Sequence, residues 1–252
     1  MLLGASFGFA DPISFVTGYV GSYLIPGPGY SVSYTSSGSS SYHYSEVYEP
    51  GDPIATYTAS EQTSGTLTTV GVQVSNAWTG FGVQALRYAS TNSFAGAILK
   101  INQAVYLSET ATVNWTASVV GRTSSSTGWE SVDFADMQGT EIGSTCHVFL
   151  APNQSAQTCS TGKVLIGAGS EIAVNNSLVG SVLVQGVGES ATFQGTAELG
   201  PLQVYDLNGN LIESFDLGAM DPAPEPDLAI VCGVALAGLI YRRKFVTRSR
   251  RL

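Results

Sequence analysis

Polar and apolar residues alternate in many short runs between residues 31 and 215, which is the pattern of half-buried β-strands. The clearest case is residues 111–120 (ATVNWTASVV), in which Val113 and Trp115 share one face while polar residues share the other. Similar runs predict strands at residues 31–36, 41–49, 54–59, 66–74, 82–88, 97–107, 111–120, 146–150, 163–166, 170–174, 181–184, 191–197, 202–206 and 210–215.

Turn-forming residues separate these runs. Asn208-Gly209 predicts a two-residue hairpin between the last two strands. The serine-rich residues 36–41 and 123–128 predict flexible loops, and residues 134–137 are the only place in the body where the pattern tolerates a short helix. The spacing of strands and turns predicts an all-β fold, an antiparallel β-sandwich or jelly-roll-like body over residues 11–220.

Composition supports this fold and excludes others. Only 12% of the 252 residues are charged, and the Glu, Lys and Arg on which long soluble helices depend are scarce. The net charge of −9 combines −15 over residues 1–227 with +6 in the remaining tail. An acidic body repels phosphate, so the sequence predicts no nucleic-acid partner.

The C-terminus has three distinct parts. Residues 221–227 (DPAPEPD) are rich in proline and predict an extended spacer. Residues 228–241 carry no charge and predict one hydrophobic helix that enters the membrane, although a buried core helix is the alternative for so short a run. Arg242, Arg243 and Lys244 follow at once and predict a cytoplasmic stop-transfer cluster, with the acidic body outside.

Pro224, Glu225 and Pro226, the apolar run and the basic cluster together resemble the PEP-CTERM sorting domain. The resemblance covers about thirty residues, and residues 228–252 are its membrane and tail portion. It implies an exported protein of a Gram-negative-type bacterium, processed near the motif by an exosortase, a membrane-embedded cysteine transpeptidase. It also implies release or anchoring at the cell surface, often in association with extracellular polysaccharide and biofilm.

The N-terminus and the cysteines bear on export. Residues 1–10 (MLLGASFGFA) are apolar and end in a small-x-small pattern, which predicts the remnant of a signal peptide, with a first strand of the body as the alternative. Cys146 and Cys159 flank a turn-forming segment and predict a disulfide in an exported protein. A metal site is the other interpretation, but only His147 is adjacent.

Residues suited to catalysis are few. The two histidines, His43 and His147, lack a recognisable nucleophile motif. The densest acidic cluster offers carboxylates for glycoside hydrolysis, but a solvated loop explains it better. Its members are Glu130, Asp133, Asp136 and Glu141. Asp206, Asn208 and Asn210 resemble only the start of a calcium loop. We predict no catalytic residue, metal site or cofactor.

Aromatic residues offer a binding alternative. Eight of the twelve tyrosines fall in residues 19–57, and Tyr42, Tyr44 and Tyr48 lie in one alternating run where they could stack on sugar rings. Tyrosine also simply favours strands, and the three tryptophans are expected in the core.

The sequence thus predicts a non-enzymatic, exported protein with a structural or adhesive role in an extracellular polysaccharide matrix. Its predicted partners are an exosortase, the membrane through residues 228–241 and extracellular polysaccharide. A carbohydrate-binding module based on the tyrosine-rich strands is the first alternative, and a polysaccharide hydrolase using Glu130 and Asp133 is the second.

Overall fold

The computed structural model describes residues 11–26, 33–35, 39–48, 55–80 and 84–219. The predictions for residues 1–10, the spacer at 221–227, the apolar segment and the basic tail lie outside these ranges. Within them the chain forms antiparallel strands and one 3-10 turn, Leu217–Ala219. The strands are β1 Ile13–Pro26, β2 Ser33–Thr35, β3 Ser39–Tyr48, β4 Ala55–Gly65, β5 Thr69–Gly80, β6 Gln84–Ile101, β7 Val105–Ser108, β8 Thr110–Val120, β9 Ser125–Asp136, β10 Cys146–Leu150, β11 Ala156–Ser160, β12 Val164–Ile166, β13 Glu171–Gly186, β14 Ser190–Leu199, β15 Leu202–Tyr205 and β16 Leu211–Phe215.

The strands form three sheets. Sheet I has six strands in the order β10-β9-β13-β6-β1-β2, and sheet II has six in the order β11-β8-β14-β5-β4-β3. Sheet III has four, β12-β7-β15-β16. The two large sheets pack face to face, with β6 and β13 against β5 and β14. The predicted all-β sandwich is therefore confirmed.

The alternating pattern directs one side of each large sheet into the core. On β13 every second residue from Ile172 to Val184 is buried, and on β14 every second residue from Ala191 to Leu199 is buried. Phe193 of sheet II reaches into sheet I over the paired Gly180 and Gly128, where an added Cβ would come within 2.3–2.6 Å of its ring. Two small residues in register thus let the sheets approach.

A disulfide closes one side of the sandwich. Cys146 and Cys159 are bonded, with their Cα atoms 5.7 Å apart, which confirms the pairing predicted from sequence. They lie on β10 and β11, the edge strands of sheets I and II. The bond therefore links the two sheets at that edge, and it is typical of an extracellular or periplasmic protein.

Several local predictions are corrected. Residues 125–128, predicted as part of a flexible loop, begin β9, and residues 134–136 continue it as strand rather than helix. The central strands are longer than predicted: β6 includes residues 89–96 (ASTNSFAG), in which polar and apolar residues do not alternate regularly. The last hairpin is confirmed, but its loop spans residues 206–210 instead of two residues.

Candidate functional site

Two aromatic rings stand out on the outer face of sheet I. Trp129 on β9 and Phe149 on β10 are register partners, and their ring centroids lie 4.9 Å apart in an edge-to-face arrangement. Trp129 is 51% exposed and Phe149 is 46% exposed. The expectation that all three tryptophans lie in the core is therefore wrong for Trp129, although Trp78 and Trp115 are buried.

The same row of the sheet leads to a second pair of rings. Across β13, β6 and β1 the register partners of Trp129 are Val179, Asn92 and Tyr23. Tyr23 stacks on Phe94, with centroids 5.6 Å apart and planes 29° from parallel. Gly21 lies beneath, since a Cβ there would come within 2.4 Å of the Phe94 ring. We call this outer surface of sheet I, from Phe149 to Tyr23, the aromatic face.

A hydrogen-bonded chain crosses the same face two rows away. The Tyr19 hydroxyl donates to Asn175 Oδ1, and Asn175 Nδ2 donates to Asp133 Oδ1 at 2.5 Å. Tyr19 lies over Gly96, where a Cβ would be 2.5 Å from the tyrosine oxygen. Burial, with the nearby charge of Asp133, raises the pKa of Tyr19 to about 12, and burial raises that of Asp133 as well. The chain fixes a phenol, an amide and a carboxylate in one line.

Further polar groups flank the row that contains Trp129. Ser177 Oγ donates to Asn92 Oδ1 at 3.1 Å, and the hydroxyls of Tyr88 and Ser181 share a hydrogen bond of 3.0 Å. Asn92 and Ser177 remain partly exposed. The face therefore combines exposed rings with amides and hydroxyls that are already oriented, which suits the stacking and hydrogen bonding of a polar ring-shaped ligand.

The predicted acidic cluster is divided between two environments. Glu130 and Asp133 lie on the same strand but on opposite sides, because an odd spacing reverses the side-chain direction. Glu130 is fully buried between the sheets, with neither carboxylate oxygen hydrogen bonded, and burial raises its pKa well above the usual value. It is not part of a solvated loop, and it does not form a carboxylate pair with Asp133.

The other two acids of that cluster have structural partners. Asp136 Oδ1 accepts hydrogen bonds from the backbone of Gln138 and Thr140, which closes the turn after β9. Glu141 accepts a hydrogen bond from the Thr145 hydroxyl at 2.8 Å. These contacts explain their positions as parts of a turn.

The calcium-like segment is also a turn. Asp206 accepts hydrogen bonds from the backbone of Asn208 and Asn210 and from the Asn210 side chain, at 2.8–2.9 Å. These bonds lower the pKa of Asp206, with the Asn210 side chain as the largest cause. In the described ranges no group of three or more His, Cys, Asp or Glu residues is arranged to hold a metal ion.

The tyrosines singled out from the sequence lie elsewhere. Tyr42, Tyr44 and Tyr48 belong to β3 at the edge of sheet II, and their side chains are outside what the structure describes. His147 is exposed beside Phe149 on β10, and the His43 side chain is not described. The sorting residues Pro224, Glu225 and Pro226, with Arg242, Arg243 and Lys244, also lie outside the described ranges.

Sequence reasoning missed most of the aromatic face. Tyr19 and Tyr23 lie on β1, which was not recognised as a strand, and Phe94 and Asn175 lie in stretches that were not assigned to one. The available signal was the glycine two residues from an aromatic residue in Tyr19-Val-Gly21 and Phe94-Ala-Gly96. Such a spacing leaves room for a ring to lie across the sheet.

Comparisons with known proteins identify no family for this chain. No protein-family profile matches the sequence. No curated protein matches it either. Among solved structures, one match is the enzymatically active domain of bacteriophage CBA120 tailspike protein 4, at 14% identity and a TM-score of 0.24. The match covers 57% of this chain but only 19% of the tailspike chain.

Among the described residues, no helix has the length and apolar character needed to cross a membrane.

Proposed function

We propose that this chain is an exported protein that binds extracellular polysaccharide through the aromatic face and serves an adhesive role in a matrix. The observation on which this rests is the half-exposed Trp129–Phe149 pair beside the aligned amides and hydroxyls. Exposed aromatic rings offer flat apolar surfaces, and the polar groups beside them supply direction. The site differs from the tyrosine-rich strands that the sequence offered as an alternative, but polysaccharide binding is the same class of function as that alternative.

The size of the face favours a polymer over a single sugar. Trp129 and Tyr23 lie on strands separated by two others, so they are about 14 Å apart across the sheet at about 4.8 Å per strand. Rings stand at both ends of that distance, with Val179 and Asn92 between them. A ligand that contacts both ends must therefore span several linked rings.

Charge narrows the class of polysaccharide. Residues 1–227 carry a net charge of −15, and Asp133 lies on the face itself. A polymer rich in uronic acids would be repelled, whereas a neutral or amino-bearing polymer would not. We therefore propose neutral or amino polysaccharides as the ligands.

Export and sorting complete the proposal. The Cys146–Cys159 disulfide supports an oxidising compartment. Exosortase processing rests on the sequence pattern of Pro224–Pro226, the apolar run and Arg242–Lys244. Intact mass of the protein recovered from membrane and medium tests this part: loss of the segment after the spacer supports it, and a full-length chain in both fractions contradicts it.

Affinity electrophoresis tests the binding site. The purified protein is run through gels containing neutral β-glucan, chitosan or alginate, and retardation gives the dissociation constant. We expect Trp129→Ala to weaken binding by about tenfold, because truncating an aromatic contact of a binding site costs about 1–2 kcal/mol. Val120→Ala is the matched control, since Val120 is 54% exposed on sheet II and Trp129 is 51% exposed on sheet I.

Two outcomes would contradict the site or the function. If Tyr42→Ala and Tyr44→Ala abolish retardation while Trp129→Ala does not, the ligand lies on β3 instead. If none of the three polymers retards the wild-type protein, polysaccharide binding itself is wrong.

A further inference from the structure

Sheet III exposes an apolar surface that the polysaccharide face does not use. Leu165, Tyr106, Tyr205 and Leu211 are register partners across β12, β7, β15 and β16, so they form one row on its outer face. Leu165 and Leu211 are each more than half exposed. Two further exposed residues, Leu207 and Ile212, lie in the adjoining hairpin, and we call the six together the leucine patch.

The local structure keeps these side chains in solvent. The pairing of β15 with β16 shifts register, so that Tyr205 pairs with Leu211 and Val204 with Glu213. Ile212 is the extra residue, and it therefore points outward together with Leu211. Lys163 Nζ donates to the Gly209 carbonyl at 2.9 Å and lies 3.7 Å from the centre of the Tyr205 ring. These contacts fix the turn that carries Leu207.

Such a concentration of exposed leucine and isoleucine marks an interaction surface. The position of sheet III in the chain indicates what kind of partner the patch contacts. The chain leaves sheet III at Phe215 and passes through the 3-10 turn to Ala219, and the eight residues 220–227 separate Ala219 from the apolar segment at 228–241. Eight extended residues reach at most about 28 Å. If the segment lies in the membrane, Ala219, four residues after the end of sheet III, is therefore tethered within about that distance of it.

We propose that the leucine patch rests on the lipid bilayer while residues 228–241 anchor the chain, an inference that depends on the membrane segment of the proposed function. Leucine and isoleucine side chains enter the boundary of the acyl region, and tyrosines suit the headgroup level. Asp206, Glu213 and Asp216 lie in or just after the hairpin. These three acids outnumber Lys163, the cation that lies over the Tyr205 ring, so anionic headgroups would be repelled and the surface fits zwitterionic lipid.

Fluorescence quenching by lipid tests the contact on the full chain. The protein is reconstituted in phosphatidylcholine vesicles with brominated acyl chains, and the emission of Leu211→Trp is compared with that of the parent. We expect at least a twofold quenching of the added tryptophan and a blue-shifted emission. Thr116→Trp, an exposed position on the outer face of sheet II, is the control and should remain unquenched. Replacing half the lipid by phosphatidylglycerol should reduce the quenching.

Other outcomes overturn the inference in distinguishable ways. If alkaline carbonate fails to extract the chain but Leu211→Trp is no more quenched than Thr116→Trp, the anchor stands and the patch does not touch lipid. If carbonate extracts the chain, the membrane segment is wrong and the inference fails with it. A blue shift that depends on protein concentration and not on brominated lipid would mean that a second copy covers the patch.

Discussion

The outer faces of sheets I and II are built on similar strands but carry different chemistry. Sheet I presents aromatic rings beside a hydrogen-bonded line of tyrosine, asparagine and aspartate. On sheet II, Gln62, Gln73, Gln194 and Thr116 are register partners in one row, next to hydroxyls on the neighbouring rows. Among the side chains that the structure describes, the outer face of sheet I carries the aromatic rings on which sugar rings can stack.

The glycines explain part of this difference. On sheet I, Gly21 and Gly96 lie beneath Phe94 and Tyr19, so those rings can lie across the sheet. On sheet II, Gly71 has Ser64 and Thr196 as its outer neighbours, and the space remains a shallow depression lined by glutamines. A glycine shapes a binding face only where a ring is placed to use the space.

Raising the pH has the largest expected effect on the free energy of unfolding. It tests whether the stability beneath both faces depends on buried carboxyl groups. Burial raises the pKa of Glu109, between β7 and β8, to about 8, and also raises that of Glu130. The folded protein therefore retains protons that the unfolded chain has lost, so the free energy of unfolding falls as the pH rises. Between pH 5 and 8 we expect Glu109 to lower the free energy of unfolding of the wild type by on the order of 3–4 kcal/mol, and Glu109→Gln to lack this decrease.

Urea denaturation at the two pH values measures this change. Glu198→Gln, on the exposed side of β14, is the control and should leave the pH dependence as in the wild type. A wild-type stability that stays constant from pH 5 to 8 would show that the buried carboxyls are not protonated in the folded state.

The second-largest effect is expected when one glycine in each sheet is replaced by alanine, which adds a methyl group. An alanine Cβ at position 96 would lie 2.4 Å from the Val174 carbonyl oxygen, which is backbone and cannot move easily. We expect Gly96→Ala to reduce the free energy of unfolding by about 1–3 kcal/mol. At position 71 the nearest atom, at 2.5 Å, is the Ser64 hydroxyl, which can rotate away, so Gly71→Ala should cost less than about 0.5 kcal/mol.

Thermal or urea unfolding of the two variants gives the difference directly. Equal losses of stability would mean that the outer faces are packed alike, and that the close approach over Gly96 has no special role.

The smallest expected effect concerns the glutamines of sheet II. Gln73→Ala and Gln194→Ala should change the affinity for polysaccharide by less than about twofold, because single exposed side chains outside a contact region contribute little to binding. Affinity electrophoresis measures this under the same conditions as Trp129→Ala. A tenfold loss in either variant would place the binding face on sheet II and reverse the comparison.

Much of the fold was predictable because alternation is a local signal. On β8, Val113 and Trp115 are buried while Thr112 and Asn114 are exposed, as their spacing predicts. The predicted disulfide joins two cysteines thirteen positions apart, which a short turn can bring together. The strand at β1 was missed because its glycines and serines obscure the alternation.

The candidate site was less predictable because its members are distant along the chain. Tyr19 and Asn175 are 156 positions apart, and Asp133 joins them from a third strand. The tyrosine cluster around Tyr42 was conspicuous as a sequence feature, but density of one residue type does not indicate which strand lies beside which. Glu130 and Asp133 appeared as neighbours in sequence, and the direction of β9 separated them.

The sequence by itself determined that the body is all-β, that its strands have one apolar side, and that its acidic body and basic tail are physically different. These properties follow from residue spacing and charge, which need no knowledge of neighbours. Only the tertiary structure decided that Trp129 is exposed, that Glu130 is buried and that Tyr19 meets Asp133 through Asn175. Strand order and register depend on pairings between distant residues, and a shift of one residue would turn every side chain to the opposite face.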